Sequence, residues 1–179
     1  MSSIAIADER HFRQSVQREK FVEHLFTGLL LRHFWRTNME VDLLRPEVDR
    51  LGYDIVVSHG KITRHIQLKA SILGGKASAQ TISAGLAQHP SGCVVWMVVD
   101  RELEFRSMLW FGGKPGRPLS DITGFAHGVR TTPNSEGMKP VRENTRRIKR
   151  AAFDVIEDQD LFAGVAARLF GKSAMPART

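Results

Sequence analysis

A carboxylate, an amide and an ammonium occur at a spacing that could build a site for a cation and a phosphate. Asp54 precedes a short apolar run of Ile and Val, and Gln67 and Lys69 close a second run that follows a His-Gly turn. The two runs, 53–58 and 62–69, predict an antiparallel hairpin, in which the start of one strand lies beside the end of the other. Alternation places Gln67 and Lys69 on the same face. We therefore expect the three side chains to converge at one end of a sheet.

This convergence would suit a divalent cation and a phosphodiester. Mg²⁺ prefers oxygen ligands and keeps several of its waters, so Asp54 could supply a carboxylate oxygen and Gln67 an amide oxygen. Lys69 could orient or polarise an attacking water and stabilise charge on the phosphate. Each residue also has an ordinary interpretation, because an Asp can face solvent in a hairpin and a Lys can simply end a strand. The presence of all three together favours a site.

The residues around this hairpin resemble a known family. The segments GYDIVV at 52–57 and IQLK at 66–69 are similar to the signature of the PD-(D/E)XK nuclease superfamily, in the variant with Gln at the second acidic position. The resemblance extends over residues 20–99. It implies an α/β fold of the restriction-endonuclease-like type, with a mixed central β-sheet flanked by helices, an α-β-β-β-α-β core and C-terminal helices. It also implies an endonuclease that uses Mg²⁺ or Mn²⁺ to hydrolyse DNA phosphodiester bonds, with no small-molecule cofactor.

The resemblance assigns further groups to the site. The backbone carbonyl of Leu68 would be a metal ligand beside the Asp and Gln side chains. Glu23, on the helix before the hairpin, would bind the metal directly or through water. Glu19, one helical turn earlier, is the alternative to Glu23, and both glutamates could equally be solvated helix surface. The catalytic set implied by the resemblance is Glu23, Asp54, Gln67 and Lys69.

The amide at position 67 leaves the function of the chain open. Gln67 in place of a carboxylate removes one negative charge, which weakens metal binding and gives more weight to Glu23 or Asp49. If the metal site is degraded, the chain would keep the fold as a module that binds DNA or a protein partner without cleavage. It could also serve as a subunit of a larger defence or repair complex.

The charge balance favours an acidic partner. The formal net charge is +7 and the sequence pI is about 10.1, and nucleic acid is the commonest partner of a basic domain. The candidate phosphate contacts are Lys76, Lys114, Arg117, Arg146, Arg147 and Arg150. A solvated helix surface is an equally good interpretation of the last three. The resemblance favours DNA as the nucleic acid and is compatible with a homodimer, because a duplex has two strands to cut.

Length and composition predict one globular domain. The chain has 179 residues, of which 42% are hydrophobic and 25% charged, and we expect a single nuclease-like domain over 1–171 with a disordered tail at 172–179. A single cysteine excludes a disulfide framework and a thiolate zinc cluster. The start of the chain has no apolar signal core and no run is long enough to span a bilayer. These features predict a cytoplasmic protein with no membrane partner.

Hydrophobic periodicity predicts the elements that must position the site. The predicted helices are 9–35 with Asp8 as its N-cap, 79–89, 143–156, and a last helix from the N-cap Asp160 to Gly171. The predicted strands are 38–44, 53–58, 62–69, 93–99 and 101–112, with a further strand around 124–130. Strand 93–99 is continuously apolar, so it should lie in the middle of the sheet and run parallel to 62–69. The segments 71–78 and 112–118 are typical of loops.

Overall fold

The computed structural model describes residues 15–48, 52–130 and 137–172. Within them the chain has an α/β fold with a mixed six-stranded sheet, a second sheet of three strands and two α-helices. The helices are α1 (Ser15–Arg36) and α2 (Leu161–Phe170). The strands are β1 (Asp42–Leu44), β2 (Ile55–His59), β3 (Ile62–Ile72), β4 (Ala79–Ser83), β5 (Gly92–Val99), β6 (Phe105–Gly112), β7 (His127–Val129), β8 (Val141–Lys149) and β9 (Asp154–Val155). The predicted N-cap Asp8, the start of the first predicted helix at 9–14, Asp49 and the tail from 173 lie outside the described residues.

The six-stranded sheet contains the predicted hairpin and the predicted parallel pair. Its strand order is β1-β2-β3-β5-β6-β9. β2 and β3 are antiparallel, with Ile55 opposite Ile66, and β3 and β5 are parallel, with Leu68 opposite Val95. All eight residues of β5 are buried, as expected of a strand covered on both faces. The predictions of the hairpin, of the parallel pair and of a central strand at 93–99 are therefore confirmed.

Two different layers cover the two faces of this sheet. Leu68 of β3 belongs to the core beneath the helices, where it joins Phe26 of α1. Trp96 of β5 belongs to a second core, which is closed by Ile82 of β4 and Ile148 of β8. The second sheet, in the order β4-β8-β7, is this other layer. As a result, β3 lies between a helical layer and a sheet layer.

Residues 79–89 do not form the predicted helix. They form β4 and then a 3₁₀-helix, Ala84–Gln88. The spacing of Ile82 and Leu86 suits an α-helix, and both are fully buried, but residues 79–83 pair with β8 instead. The Ser83 hydroxyl accepts a hydrogen bond from the backbone N–H of Gly85 at 3.2 Å, which caps the 3₁₀-helix. Tertiary strand pairing thus overrides a local helical pattern.

Residues 143–156 are also not the predicted helix. They contain most of β8, a short 3₁₀-helix (Arg150–Ala152) and β9. β8 pairs with both β4 and β7, and such long-range pairing leaves little trace in local periodicity. Arg146 lies opposite Ile82, whereas Arg147 lies opposite Thr81, so the two arginines point to opposite faces of the second sheet. The single basic helix face expected from the sequence therefore does not exist.

The remaining elements agree with the prediction in kind, but some bounds differ. β1 covers only the end of the predicted strand 38–44, β6 begins at Phe105, and β3 includes residues 71–72 of the predicted loop. The extra strand near 124–130 is β7, and residues 73–78 and 113–126 contain no helix or strand. The Asp160 side chain caps α2 by accepting from the backbone N–H groups of Phe162 and Ala163, and Gly171 follows the helix with a φ of 90°. Neither described helix has the length and apolar content needed to cross a bilayer.

A buried arginine ties β3 to the end of the chain. Arg64 is fully buried, and its guanidinium donates to the backbone carbonyls of Leu169, Arg168 and Gly113, each at 2.9 Å. The same guanidinium lies over the ring of Trp110, 5.3 Å from its centroid. Two of the three carbonyls belong to the last turn of α2, where a positive charge is favoured by the helix dipole. This arrangement fixes α2 against the strand that carries the candidate site.

Candidate active site

The candidate site begins where β2 separates from β3. The last backbone hydrogen bond of the hairpin is donated by Asp54 N–H to the carbonyl of Ile66 at 2.8 Å. β3 continues to Ile72 beside β5, but β2 pairs with it only as far as Ile66. The β2-side edge of β3 after Ile66 is therefore not paired with β2. Backbone groups on such an edge need partners or ligands.

The Asp54 side chain occupies the start of this edge. Its Oδ2 accepts a hydrogen bond from the backbone N–H of Leu68 at 2.6 Å. In a strand the N–H and C=O of one residue point to the same edge, as they do in a hydrogen-bonded antiparallel pair. The carbonyl of Leu68 therefore faces the side on which the carboxylate lies. The structure brings these two predicted oxygen ligands to one place.

A polar cleft opens at this edge, between α1 on one side and β4 on the other. Its volume is about 370 Å³. The residues that line it are Glu19, Glu23, Asp54, Leu68, Lys69, Ala70, Ala79, Gln80, Thr81, Met97 and Arg142. Of the predicted set, the cleft brings together Glu23, Asp54, Lys69 and the Leu68 backbone, and it also includes the alternative Glu19.

Glu23 makes an ion pair at the wall of the cleft. The ammonium of Lys20 donates to Glu23 Oε2 at 2.8 Å, and the Glu23 side chain is only 14% exposed. The hydrogen bond to Glu23 raises the pKa of Lys20, and the charges of Glu23 and Asp54 raise the pKa further. Lys20 thus provides positive charge close to two carboxylates. A divalent cation entering the cleft would compete with that ammonium.

Gln67 was predicted to join the site, but it does not line the cleft. It is buried, with 8% of its surface exposed, and its Oε1 accepts a hydrogen bond from the backbone N–H of Ser83 at 3.1 Å. Alternation does place Gln67 on the same face as Lys69, but this face is covered by the second sheet, which the sequence did not predict. The amide oxygen expected to bind metal instead holds the end of β4.

The cleft also contains three polar residues that the sequence did not identify as site residues, Gln80, Thr81 and Arg142. Gln80 lies on β4, and Arg142 lies near the start of β8. The helices predicted at 79–89 and 143–156 overlap β4 and β8, so the sequence did not place these strands beside the hairpin. The Gln-Thr-Ile-Ser run at 80–83 includes two β-branched residues, a composition that favours a strand. That signal could have placed Gln80 near β3.

The predicted phosphate contacts are distributed over several elements. Lys76 is exposed in the connection after β3, and Lys114 and Arg117 are exposed after β6. The guanidinium of Arg146 donates to the backbone carbonyls of Glu143 and Thr145 at 2.7 and 3.0 Å. Arg147 is exposed on β8, and the Arg150 guanidinium lies 5.0 Å from the centroid of the Trp96 ring. The six predicted cations therefore come from three separate stretches of the chain, at 76, at 114–117 and at 146–150.

A stack of aromatic rings supports the segment before Asp54. The imidazoles of His65 and His89 stack with centroids 4.3 Å apart, and the Tyr53 ring lies edge-on at 5.0 and 4.9 Å from them. Burial lowers the pKa of both histidines, and the proximity of His89 lowers the pKa of His65 further. Both rings are therefore mainly neutral at pH 7.

Cys93 does not contribute a nucleophile. Its side chain is fully buried in β5, and burial raises the pKa of the thiol to about 12. A thiol in this state is a small apolar core residue.

The donor set of the cleft suits a hard divalent cation in kind. Carboxylate and carbonyl oxygens are the ligands that Mg²⁺ and Mn²⁺ prefer, and Asp54, Glu23 and the Leu68 carbonyl provide them. Across residues 15–48, 52–130 and 137–172, no group of three or more Asp, Glu, His or Cys side chains is assembled to hold a metal ion. A cation here would therefore depend on backbone and amide oxygens and on its own waters as well as on carboxylates.

No protein-family model, curated protein or solved structure matches this chain. Function is therefore inferred from the geometry and chemistry of the cleft.

Proposed function

We propose that this chain is a Mg²⁺-dependent endonuclease of the PD-(D/E)XK type, with the restriction-endonuclease-like fold, that hydrolyses DNA phosphodiester bonds. One observation carries the proposal: the Asp54 carboxylate accepts from Leu68 N–H just beyond the end of the β2–β3 pairing, and Lys69 and Glu23 line the same cleft. A helix before a hairpin, followed by a parallel central strand, supports this fold assignment. The strand at 79–83 replaces the helix expected there.

Each residue would have a defined role. Asp54, Glu23 and the Leu68 carbonyl would hold the cation, which would stabilise negative charge on the phosphate when bound. The Lys69 ammonium would orient the attacking water and offset the charge that develops on the phosphate oxygens. The Lys20 ammonium neutralises Glu23 until a cation takes its place.

The positive charge of the chain supports a nucleic acid substrate. Arg142 lines the cleft, and Arg147 and Lys149 are exposed on the outer face of the second sheet. Cations placed along a surface bind phosphates without reading sequence and give a salt-dependent affinity. Cutting both strands of a duplex would require a second active site, which a homodimer would supply.

One observation favours a second candidate, a nuclease-fold module that binds DNA or a protein without cleaving it. Gln67 is engaged with Ser83 N–H, and no three acidic or imidazole side chains assemble in the described part of the chain. Such a donor set would bind a metal weakly. The two candidates differ in whether DNA is cut.

A nicking assay on supercoiled plasmid with Mg²⁺ or Mn²⁺ tests the proposal. Asp54→Asn and Lys69→Met should each reduce the rate by a factor of about 10² or more, as expected when a group that stabilises transition-state charge is removed. Asp42→Asn and Lys61→Met, exposed on β1 and in the β2–β3 turn, are matched controls that should retain full activity. Wild-type protein that binds DNA but never nicks it would favour the binding module. Nicking that survives both site variants would refute the assignment of the site.

A further inference from the structure

We infer that Gln80 on β4, not Gln67 on β3, supplies the neutral amide oxygen of the candidate metal site, and that Gln67 is a positioning residue for β4. This assignment depends on the proposed function of the cleft. It follows from the path of the chain after β3 and from the hydrogen bond of Gln67.

The chain returns over its own strand. β3 ends at Ile72, and β4 begins at Ala79 after the connection 73–78. The end of β4 is fixed over β3 where Ser83 N–H meets Gln67. Gln80, three residues earlier, lies toward the later part of β3, and it lines the same cleft as Lys69. β4 thus forms a wall of the cleft that is absent from the hairpin itself.

The Gln80 side chain lies on the inner face of β4. Gln80 is opposite Ile148 of β8, and directly opposite residues share a face. Ile148 is fully buried in the core between the second sheet and the main sheet, together with Ile82. Gln80 and Ile82 are two residues apart on one strand, so they also share this face. The amide of Gln80 is therefore directed toward β3 and the cleft.

Two contacts fix Ser83, and one of them occupies the amide oxygen of Gln67. Its backbone N–H donates to Gln67 Oε1 at 3.1 Å. In addition, a Cβ added to Gly52 would collide with the Ser83 side chain, so the segment before Asp54 packs directly on Ser83. Gln67 therefore fixes β4 in the place where Gln80 can reach the cleft.

An amide oxygen at position 80 would complete the ligand set of the candidate metal site. It is a hard oxygen donor that adds no charge, and Mg²⁺ and Mn²⁺ accept such oxygens beside carboxylates. Asp54 and Glu23 would then provide the charge, and Leu68 and Gln80 neutral oxygens. The chain would keep a neutral ligand, but on a different strand from the one that the sequence suggested.

Replacing each amide by a carboxylate distinguishes the two positions. A carboxylate that faces the cation should tighten Mn²⁺ binding about tenfold, because affinity rises with the number of charged ligands. We expect this gain for Gln80→Glu and no gain for Gln67→Glu, whose carboxylate would still accept from Ser83 N–H. Gln88→Glu, exposed at the end of the 3₁₀-helix, controls for added charge. The readouts are titration calorimetry with MnCl₂ and amide hydrogen exchange at Ser83, which should accelerate in Gln67→Leu but not in Gln80→Ala.

The outcomes separate this assignment from the function on which it depends. Tighter Mn²⁺ binding by Gln67→Glu, or by neither variant while the wild type binds normally, would overturn the role of Gln80. Unchanged exchange at Ser83 in Gln67→Leu would overturn the positioning role of Gln67. Wild-type protein without Mn²⁺ binding that depends on Asp54 would instead refute the metal-dependent nuclease.

Discussion

Asp54 Oδ2 accepts a 2.6 Å hydrogen bond from the backbone N–H of Leu68, across the point where β2 leaves β3. The carboxylate takes the position that a strand carbonyl would occupy in a continued hairpin. One group therefore satisfies the edge of the sheet and forms part of the cleft. Stability and chemistry at this site are consequently linked.

Substitutions at Asp54 should separate these two contributions. Asp54→Ala removes the acceptor and should lower the free energy of unfolding by about 1.5–3 kcal/mol, the range for hydrogen bonds to charged groups. Asp54→Asn retains an acceptor oxygen and should lose less stability, while Mn²⁺ affinity falls in both. Urea denaturation and calorimetry measure the two effects. Unchanged Mn²⁺ affinity in both variants would contradict a metal role for Asp54.

Removing the Lys20 ammonium should strengthen cation binding. Lys20 donates to Glu23 at 2.8 Å, and Asp54 also raises its pKa. Lys20→Met eliminates the positive charge that a divalent ion must displace, so we expect Mn²⁺ affinity to rise several-fold, about what the loss of one nearby like charge provides. Lys61→Met, in the β2–β3 turn, is the control and should leave the affinity unchanged. Weaker binding in Lys20→Met would show that Lys20 supports the cation site rather than competing for it.

Two glycines with positive φ allow steric contact to be separated from backbone strain. Gly52 has a φ of 77° and Gly60 a φ of 57°. A Cβ added at Gly52 would collide with Ser83, whereas a Cβ added at Gly60 would meet no atom within 4 Å. Gly60→Ala should cost about 1–2 kcal/mol from the left-handed conformation alone. Gly52→Ala should cost at least about 1 kcal/mol more because a packed contact must shift. Equal losses in thermal denaturation would show that the Gly52–Ser83 contact yields without cost.

The histidine stack should make stability depend on pH. Unfolded histidine has a pKa near 6.5, and burial lowers the folded pKa of His65 and His89 below this value. Between the folded pKa and pH 6.5, the unfolded chain binds more protons than the folded chain does. The contribution of the two histidines to stability is therefore fully present above pH 6.5 and is lost as the pH falls toward the folded pKa.

Urea denaturation in metal-free buffer from about pH 7.5 to about pH 5 would measure this loss. A double variant, His65→Gln with His89→Gln, should show a flatter profile than the wild type. His24→Gln, exposed on α1, should leave the profile unchanged. A wild-type profile as flat as that of the double variant would contradict the assignment.

Arg64 should be among the residues most costly to replace. Its guanidinium donates to three backbone carbonyls and is fully buried. Arg64→Met keeps much of the side-chain volume but leaves these carbonyls without their donor, so the free energy of unfolding should fall by about 3 kcal/mol or more. Arg168→Met, exposed on α2, is the control for loss of a guanidinium and should cost under about 1 kcal/mol. A loss below about 1 kcal/mol in Arg64→Met would show that water satisfies the carbonyls instead.

The sequence was informative where local signals and neighbouring strands agreed. The turn and alternation around Asp54 and Lys69 located the hairpin, and the apolar run at 93–99 located the central strand. Asp160 and Gly171 marked the ends of α2. Elements that depend on distant partners were harder to predict. The β-branched residues of β4 favour a strand, but its pairing with β8 joins segments far apart in the sequence. The burial of Gln67 follows from that pairing, so the same missing contact hid both the second sheet and Gln80.

The anchoring of β3 by Arg64 has a consequence for biosynthesis. The carbonyls that receive this guanidinium belong to Arg168 and Leu169, which leave the ribosome long after Lys69. A nascent chain can form the β2–β3 hairpin early, but Arg64 of β3 can make these two hydrogen bonds only when α2 docks. Prematurely terminated products that lack α2 would therefore leave Arg64 without two of its three backbone acceptors.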